Sequence, residues 1–132
     1  MLVSKSIVIS PAEFANRGKD NFPFSPGILH GDTLYVSGEI GADLRTWKVP
    51  EDFEAEVRTC FHNIELILKA ADMDFSNIVS VQVYMKDMSQ FQRMNAVYAS
   101  IFEAPRPARV TVGVTELGLS DARIEVSVIA KK

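Results

Sequence analysis

The sequence predicts an α+β domain in which two helices pack on one face of a mixed or antiparallel sheet of about six strands. Three patterns predict this fold class. Apolar residues recur at helical spacing in two stretches, apolar and polar residues alternate in several others, and turn residues such as Gly and Pro separate them. With 132 residues and 47% hydrophobic content, the chain is long enough to bury most of its unfolded surface in one domain, residues 1–132.

The first part of the chain predicts three strands. Ser6–Ile9 forms a short strand, and residues 12–25 are a loop with at most one helical turn near its start. Ile28–His30 and Thr33–Ser37 flank Gly31, and glycine supplies the positive φ that a two-residue hairpin turn requires. We therefore expect an antiparallel hairpin here.

The middle of the chain predicts a helix, a strand and a second helix. Residues 51–71 carry the clearest helical periodicity, and Pro50 suits the start of that helix. Its apolar stripe consists of Phe53, Val57, Cys60, Phe61, Ile64, Ile67, Leu68 and Ala71. Ile78–Met85 alternates as a half-buried strand, and Ser89 stands three residues before Gln92, the spacing of a capping box at the start of the second helix.

The last two strands are predicted to form a hairpin. Residues 105–114 and 123–130 both alternate with period two, and the segment between them is short. If the valines of both strands share a buried face, the polar residues share the other face, because a slip of one residue would bury the charges. The side chains expected on that other face are Arg109, Thr111, Glu125 and Ser127.

Two interpretations of this polar face remain open. Arg109 and Glu125 could form a cross-strand ion pair on a solvated surface, which contributes little to stability. Alternatively, the rigid guanidinium fork of Arg109 could bind a carboxylate through two hydrogen bonds, with Glu125 positioning or deprotonating a water. Since two helices cover only one face of the sheet, the other face is expected to be solvated or covered by other subunits.

Composition excludes several function classes. The chain has 14 basic and 17 acidic residues, a net charge of −3, and no basic run, so no nucleic-acid partner is expected. The single cysteine, Cys60, favours a reducing compartment. No stretch is long and apolar enough to span a membrane, so no membrane partner is expected. Because the first residues also lack a signal peptide, a cytoplasmic protein is expected. There is no phosphate-binding loop and no metal-binding motif, and the two histidines, His30 and His62, lack convincing ligand partners.

Four short segments carry a resemblance to a known family. They are Ser37-Gly38-Glu39-Ile40, Asn95-Ala96-Val97-Tyr98, Pro107-Ala108-Arg109 and Ile124-Glu125-Val126. On these segments the chain resembles the Rid family, also called YjgF and formerly L-PSP endoribonucleases, and the similarity extends from about Phe22 to Ala130.

The resemblance implies a fold and an activity. Such proteins adopt a chorismate-mutase-like fold and assemble as homotrimers, in which the sheets form a central barrel with pockets between neighbouring subunits. The best-known members are hydrolases that deaminate reactive enamines and imines, such as 2-aminoacrylate and 2-iminopropionate, to 2-oxo acids and ammonia. They need no cofactor, and they protect cells against reactive metabolites.

The resemblance also assigns roles to residues of this chain. Arg109 matches the arginine that binds the substrate carboxylate, and Glu125 matches the glutamate associated with the attacking water. Ser37 and Gly38 match a pocket segment whose backbone faces the ligand, and Asn95 matches an asparagine associated with the pocket.

Three positions depart from the family pattern. Phe24 stands where the archetypal deaminases have a pocket tyrosine, Thr111 where many have cysteine, and Trp47 where glycine is common. Phe24 and Thr111 are therefore candidate substrate-binding residues that affect which imine fits. The alternative to a 2-iminobutanoate/2-iminopropanoate deaminase-like enzyme is a non-catalytic trimer that binds a small carboxylic acid or regulates a partner.

Overall fold

The fold is an α+β layer in a computed structural model that describes residues 5–15 and 22–132. The predicted loop at 12–25 falls partly outside these residues, and the part before the gap contains one short 3₁₀ turn, Ala12–Phe14. In chain order the strands and helices are β1 (Ser6–Ile9), β2 (Gly27–His30), β3 (Thr33–Ile40), α1 (Phe53–Ala70), β4 (Ile78–Met85), α2 (Phe91–Ile101), β5 (Ala108–Gly113) and β6 (Ile124–Lys131).

The six strands form one mixed sheet in the order β1-β2-β3-β6-β4-β5. Only β4 and β5 pair in parallel, and every other neighbouring pair is antiparallel. The predicted hairpin of β2 and β3 is confirmed, and Gly31 has the positive φ, 63°, that its turn requires. The predicted sheet of six strands with two helices is confirmed as well.

The predicted hairpin of β5 and β6 is wrong. β6 lies between β3 and β4, whereas β5 lies at the edge of the sheet, parallel to β4. Helix α2 connects β4 to β5, and a strand-helix-strand unit of this kind brings its two strands into parallel alignment. The segment of ten residues between β5 and β6 then leads back to the centre of the sheet.

Helix α1 begins at Phe53, two residues later than predicted. The Asp52 carboxylate accepts the backbone N–H of Ala55 at 3.0 Å and caps the helix, and the apolar stripe of α1 is buried as predicted. The predicted capping box at Ser89 is wrong. Ser89 instead donates to the Asp87 carboxylate, which caps a 3₁₀ turn, Met88–Gln90, immediately before α2.

The two faces of the sheet differ in exposure. Alternate residues of β4 and β6, such as Val83 and Val126, are fully buried in the core that α1 and α2 share with the sheet. The opposite face carries large apolar side chains that remain in water, including Tyr35, Val110 and Val112, which are 50%, 52% and 40% exposed. In the described residues no helix is long and apolar enough to cross a bilayer.

An ion pair between the buried Glu56 and the partly exposed Arg123 connects α1 to the start of β6. The carboxylate of Glu56 is fully buried and accepts from the backbone N–H and from Nε of Arg123, at 2.7 and 2.6 Å. The same guanidinium donates to the carbonyls of Pro50 and Glu51. One side chain therefore holds the entry of α1 against the central strand.

We expect Arg123→Ala to lower the free energy of unfolding by about 3 kcal/mol, because it leaves the buried Glu56 carboxylate without its cation. Urea unfolding measures this loss. Arg93→Ala is the matched control, since both guanidiniums lie 5.6 Å from the centroid of the Phe53 ring but Arg93 pairs with Glu54 in an exposed position. Equal losses in the two variants would contradict the assignment.

Candidate functional site

Arg109 lies on edge strand β5 and points towards helix α2. Its Nη2 donates to Oδ1 of Asn95 at 2.8 Å, and the guanidinium carbon lies 4.6 Å from the ring centroid of Tyr98 and 5.7 Å from that of Phe91. Cation–π contact and a hydrogen bond to a neutral amide hold the guanidinium in place while its charge remains uncompensated by these contacts. Its remaining N–H groups are therefore suited to an anion.

Two hydroxyls near Arg109 have no hydrogen-bond partner among the described residues. These are the phenol of Tyr98 and the hydroxyl of Thr111, and both oxygen atoms are buried. Burial raises the pKa of Tyr98, and the positive charges of Arg109 and Arg106 partly offset that rise. Buried hydroxyls are nearly always hydrogen-bonded in proteins, so each of these two keeps an unused hydrogen-bonding group in this structure.

Glu125 lies on the central strand β6 and contacts the backbone of Gly38. A Cβ atom at position 38 would overlap Oε2 of Glu125, so any other residue there would force the Glu125 carboxylate to move. Gly38 lies where the register of β3 against β6 shifts, between Val36 and Glu39. Burial raises the pKa of Glu125, and the cause is desolvation alone.

Ser37 fixes the loop before β2 next to Gly38. Its backbone N–H donates to the carbonyl of Pro26 at 2.9 Å, and its hydroxyl donates to the carbonyl of Ser25 at 2.6 Å. Phe24 therefore lies one residue from a position that is anchored to the neighbour of Gly38. The predicted pocket residues Ser37, Gly38 and Phe24 thus belong to two segments that are hydrogen-bonded to each other.

The structure does not bring Arg109 and Glu125 onto one face, and the prediction that they share one is wrong. Arg109 pairs with the buried Val81 of β4, whereas Glu125 pairs with Tyr84, and successive residues of a strand point to opposite faces. The cause is the position of β5, which is parallel to β4 and not paired with β6. Thr111 accompanies Arg109, and Ser127 accompanies Glu125, so the possible Arg109–Glu125 surface ion pair is excluded as well.

The predicted site residues therefore form two clusters. One contains Arg109, Thr111 and Asn95, and the other contains Glu125, Ser37, Gly38 and Phe24. Sequence reasoning missed Tyr98 and Phe91 as partners of Arg109. Both lie on the apolar stripe of α2 with Asn95. An amide among aromatic residues on one stripe was the sequence feature that could have indicated a polar partner for this helix face.

Phe24 is also part of an aromatic cluster. Phe22 contacts Phe24 edge to face, with ring centroids 5.5 Å apart, and contacts Trp47 at 5.6 Å. Trp47 has φ 62°, in the left-handed region that a bulky residue rarely adopts. The turn that holds it is built on Asp43, whose carboxylate accepts two backbone N–H groups, at 2.8 and 2.9 Å, and whose pKa these hydrogen bonds lower.

Comparison with known proteins identifies the family. Residues 15–132 match the family model described as Endoribonuclease L-PSP. The chain belongs to this family, which is also called Rid or YjgF. The match includes both clusters described above.

Relatives within the Rid family carry two kinds of name. A RutC family protein of Sulfurisphaera tokodaii is 43% identical over 111 residues, which cover 83% of this chain and 88% of the relative. A protein of Bos taurus named 2-iminobutanoate/2-iminopropanoate deaminase is 36% identical over 109 residues, 82% of this chain and 79% of the relative. Among solved structures, E. coli TdcF with bound serine superposes with a TM-score of 0.85 at 26% identity, covering 96% of this chain and 98% of TdcF.

We expect the raised pKa of Glu125 to make stability depend on pH. The folded state holds this proton more tightly than the unfolded state, so stability is lost as pH rises from the ordinary glutamate pKa of about 4.3 through the raised value. Glu125→Gln cannot titrate and therefore lacks this loss. Urea unfolding at a series of pH values should show the free energy of unfolding of the variant rising relative to that of the wild type as pH increases through this range. The exposed Glu103→Gln corrects for the removal of one negative charge. A difference between Glu125→Gln and wild type that stays constant with pH would contradict the assignment.

Proposed function

We propose that this protein deaminates 2-imino acids, releasing ammonia and a 2-oxo acid. The observation that carries the proposal is the uncompensated guanidinium of Arg109 next to the unpartnered hydroxyls of Tyr98 and Thr111. A planar cation with two nearby donors matches a small carboxylate. The deaminase name of the Bos taurus relative supports the choice of reaction.

We also propose that each site is shared between two copies of the chain. Arg109 and Glu125 lie on opposite faces of one sheet, so one substrate cannot contact both side chains within a single subunit. A trimer that covers the open apolar face with neighbouring subunits would bring the Glu125 side of one sheet to the Arg109 edge of the next. Tyr35, Val110 and Val112 are large apolar side chains that remain exposed on that face in a single copy. Their exposure supports the proposal that a neighbouring copy covers them.

In the proposed mechanism, Arg109 binds the carboxylate of the imino acid, and the hydroxyls of Thr111 and Tyr98 donate hydrogen bonds to it. An enamine substrate first takes a proton at carbon and loses one from nitrogen, which gives the imine. The Glu125 carboxylate of the neighbouring copy accepts a proton from water as that water attacks the C=N carbon, and passes this proton to the nitrogen to give the carbinolamine. Glu125 then takes the proton of the carbinolamine hydroxyl and passes it to the nitrogen, so that the C–N bond breaks, ammonia leaves, and the C=O bond of the 2-oxo acid forms.

The raised pKa of Glu125 suits this role. A carboxylate in a partly buried position takes up a proton more readily than an exposed one, and it can return that proton to the leaving nitrogen. The overall reaction consumes one water and releases one ammonia. Because imines hydrolyse readily, holding the reactants in place is the main contribution of the protein.

A second candidate is a trimer that binds small carboxylic acids without turning them over. TdcF was solved with bound serine, a small amino acid with a carboxylate, and this observation favours a binding role. The same Arg109 cluster would hold the ligand. The two candidates differ in whether imine hydrolysis is accelerated.

We expect Arg109→Ala to lower kcat/KM for imine hydrolysis by about 100-fold, since hydrogen bonds to charged groups contribute about 1.5–3 kcal/mol. Arg109→Lys should lower kcat/KM by at least about 10-fold, because lysine cannot reproduce the two parallel hydrogen bonds of the guanidinium. The assay generates imines from amino acids with an amino-acid oxidase and follows ammonia release and semicarbazone trapping. The exposed Arg58→Ala is the control for loss of one positive charge. Full activity in both Arg109 variants would contradict the proposal, and 2-oxo-acid binding by the wild type without turnover would support the binding trimer.

A further inference from the structure

The segment that carries Phe24 is hydrogen-bonded to the strand segment against which Glu125 lies. Ser37 donates to the carbonyls of Ser25 and Pro26, which follow Phe24, and Gly38, the residue after Ser37, lies against the Glu125 carboxylate. Phe24 is therefore one residue from a carbonyl that is bonded to the neighbour of Gly38.

The aromatic cluster of Phe22, Phe24 and Trp47 presents apolar surface to water. Phe22 and Phe24 are 40% and 51% exposed, and their edge-to-face contact leaves part of each ring open. Transfer of such surface from water to an apolar group is favourable in proportion to its area. Phe24 has no hydroxyl, so its ring offers a ligand apolar contact without a hydrogen bond.

Trp47 occupies a backbone conformation that its own side chain disfavours. Its φ of 62° suits glycine, and a bulky residue there is strained. The strain persists because the turn at Asp43 over-determines the backbone, with Trp47 N–H donating to the Asp43 carbonyl at 2.9 Å. An observed outlier of this kind points to a function for the side chain, and this side chain places its ring 5.6 Å from that of Phe22.

We propose that this aromatic cluster binds the side chain of the substrate and makes bulky apolar 2-imino acids, such as those derived from leucine or phenylalanine, better substrates than the imine derived from alanine. This inference rests on the proposed deaminase function. A methyl side chain leaves the rings in contact with water, whereas an isobutyl or benzyl side chain covers them. Discrimination by hydrophobic contact of this kind is about 10-fold to 200-fold per methylene group.

The test compares wild type with Trp47→Gly and Trp47→Phe on imines that an amino-acid oxidase generates from alanine, leucine and phenylalanine. Trp47→Gly removes the ring and places at this position the residue that its backbone suits, so the variant should fold. Trp47→Phe keeps an aromatic ring. Size-exclusion chromatography of all three proteins establishes whether they share one oligomeric state.

We expect Trp47→Gly to lower kcat/KM about 10-fold or more for the leucine and phenylalanine imines, with a change of about twofold or less for the alanine imine. Trp47→Phe should keep most of the wild-type preference. An unchanged ratio between leucine and alanine imines in Trp47→Gly, or a wild type that prefers the alanine imine, would overturn this inference and leave the deaminase function intact. A parallel loss on all imines with a change of oligomeric state would also overturn it, because the ring would then serve subunit contact. A wild type that accelerates none of the imines would overturn the deaminase function, and this inference with it.

Discussion

Strand β6 lies at the centre of the sheet, between β3 and β4, and this position determines which side chains can meet. It presents its valines to the helix layer and Glu125 to the open face, against the backbone of Gly38. β5 therefore lies at the edge of the sheet. There Arg109 points towards α2, on the face opposite the one that carries Glu125. The sheet thus separates the two groups that the proposed chemistry needs, and for this reason we propose that two copies of the chain form each site.

Each half of the site is held by rigid elements. Asn95, Phe91 and Tyr98 project from one helix and fix the guanidinium of Arg109 from two sides. On the other half, the absence of a side chain at Gly38 gives Glu125 its place, and the partly buried carboxyl keeps its proton more tightly than an exposed one. Sites built on helices and strands hold their groups more accurately than sites built on loops, which suits a reaction that depends on positioning.

Local patterns in the sequence predicted local structure well. The periodicity of residues 51–71 and of Ile78–Met85 specified α1 and β4, and Gly31 specified the turn between β2 and β3, because each signal lies within the element it describes. The alternation in β5 and β6 specified two strands but not their partners. Partner choice depends on contacts between residues far apart in the chain, and here the crossover through α2 placed β5 beside β4.

The same limit applies to the site. Arg109, Glu125 and Asn95 were predicted as site residues, and the contact of Arg109 with Asn95 supports a shared role for these two, but the face on which each lies depended on strand pairing. Tyr98 lies on the apolar stripe of α2, and its unpartnered hydroxyl is visible only in three dimensions. The strain at Trp47 was likewise beyond sequence reasoning, since a backbone angle is not encoded by residue type alone.

The central claim is that Arg109 of one copy and Glu125 of another form each site, and subunit mixing tests it most directly. Arg109→Ala and Glu125→Gln proteins would be unfolded together in equal amounts, refolded, and assayed for imine hydrolysis beside each protein refolded alone. In a cyclic trimer with shared sites, every mixed trimer regains one intact site, so activity should return to about one quarter of the wild-type value. If the mixture is no more active than the separate variants, although mixed trimers have formed, Arg109 and Glu125 act within one chain and the account is contradicted.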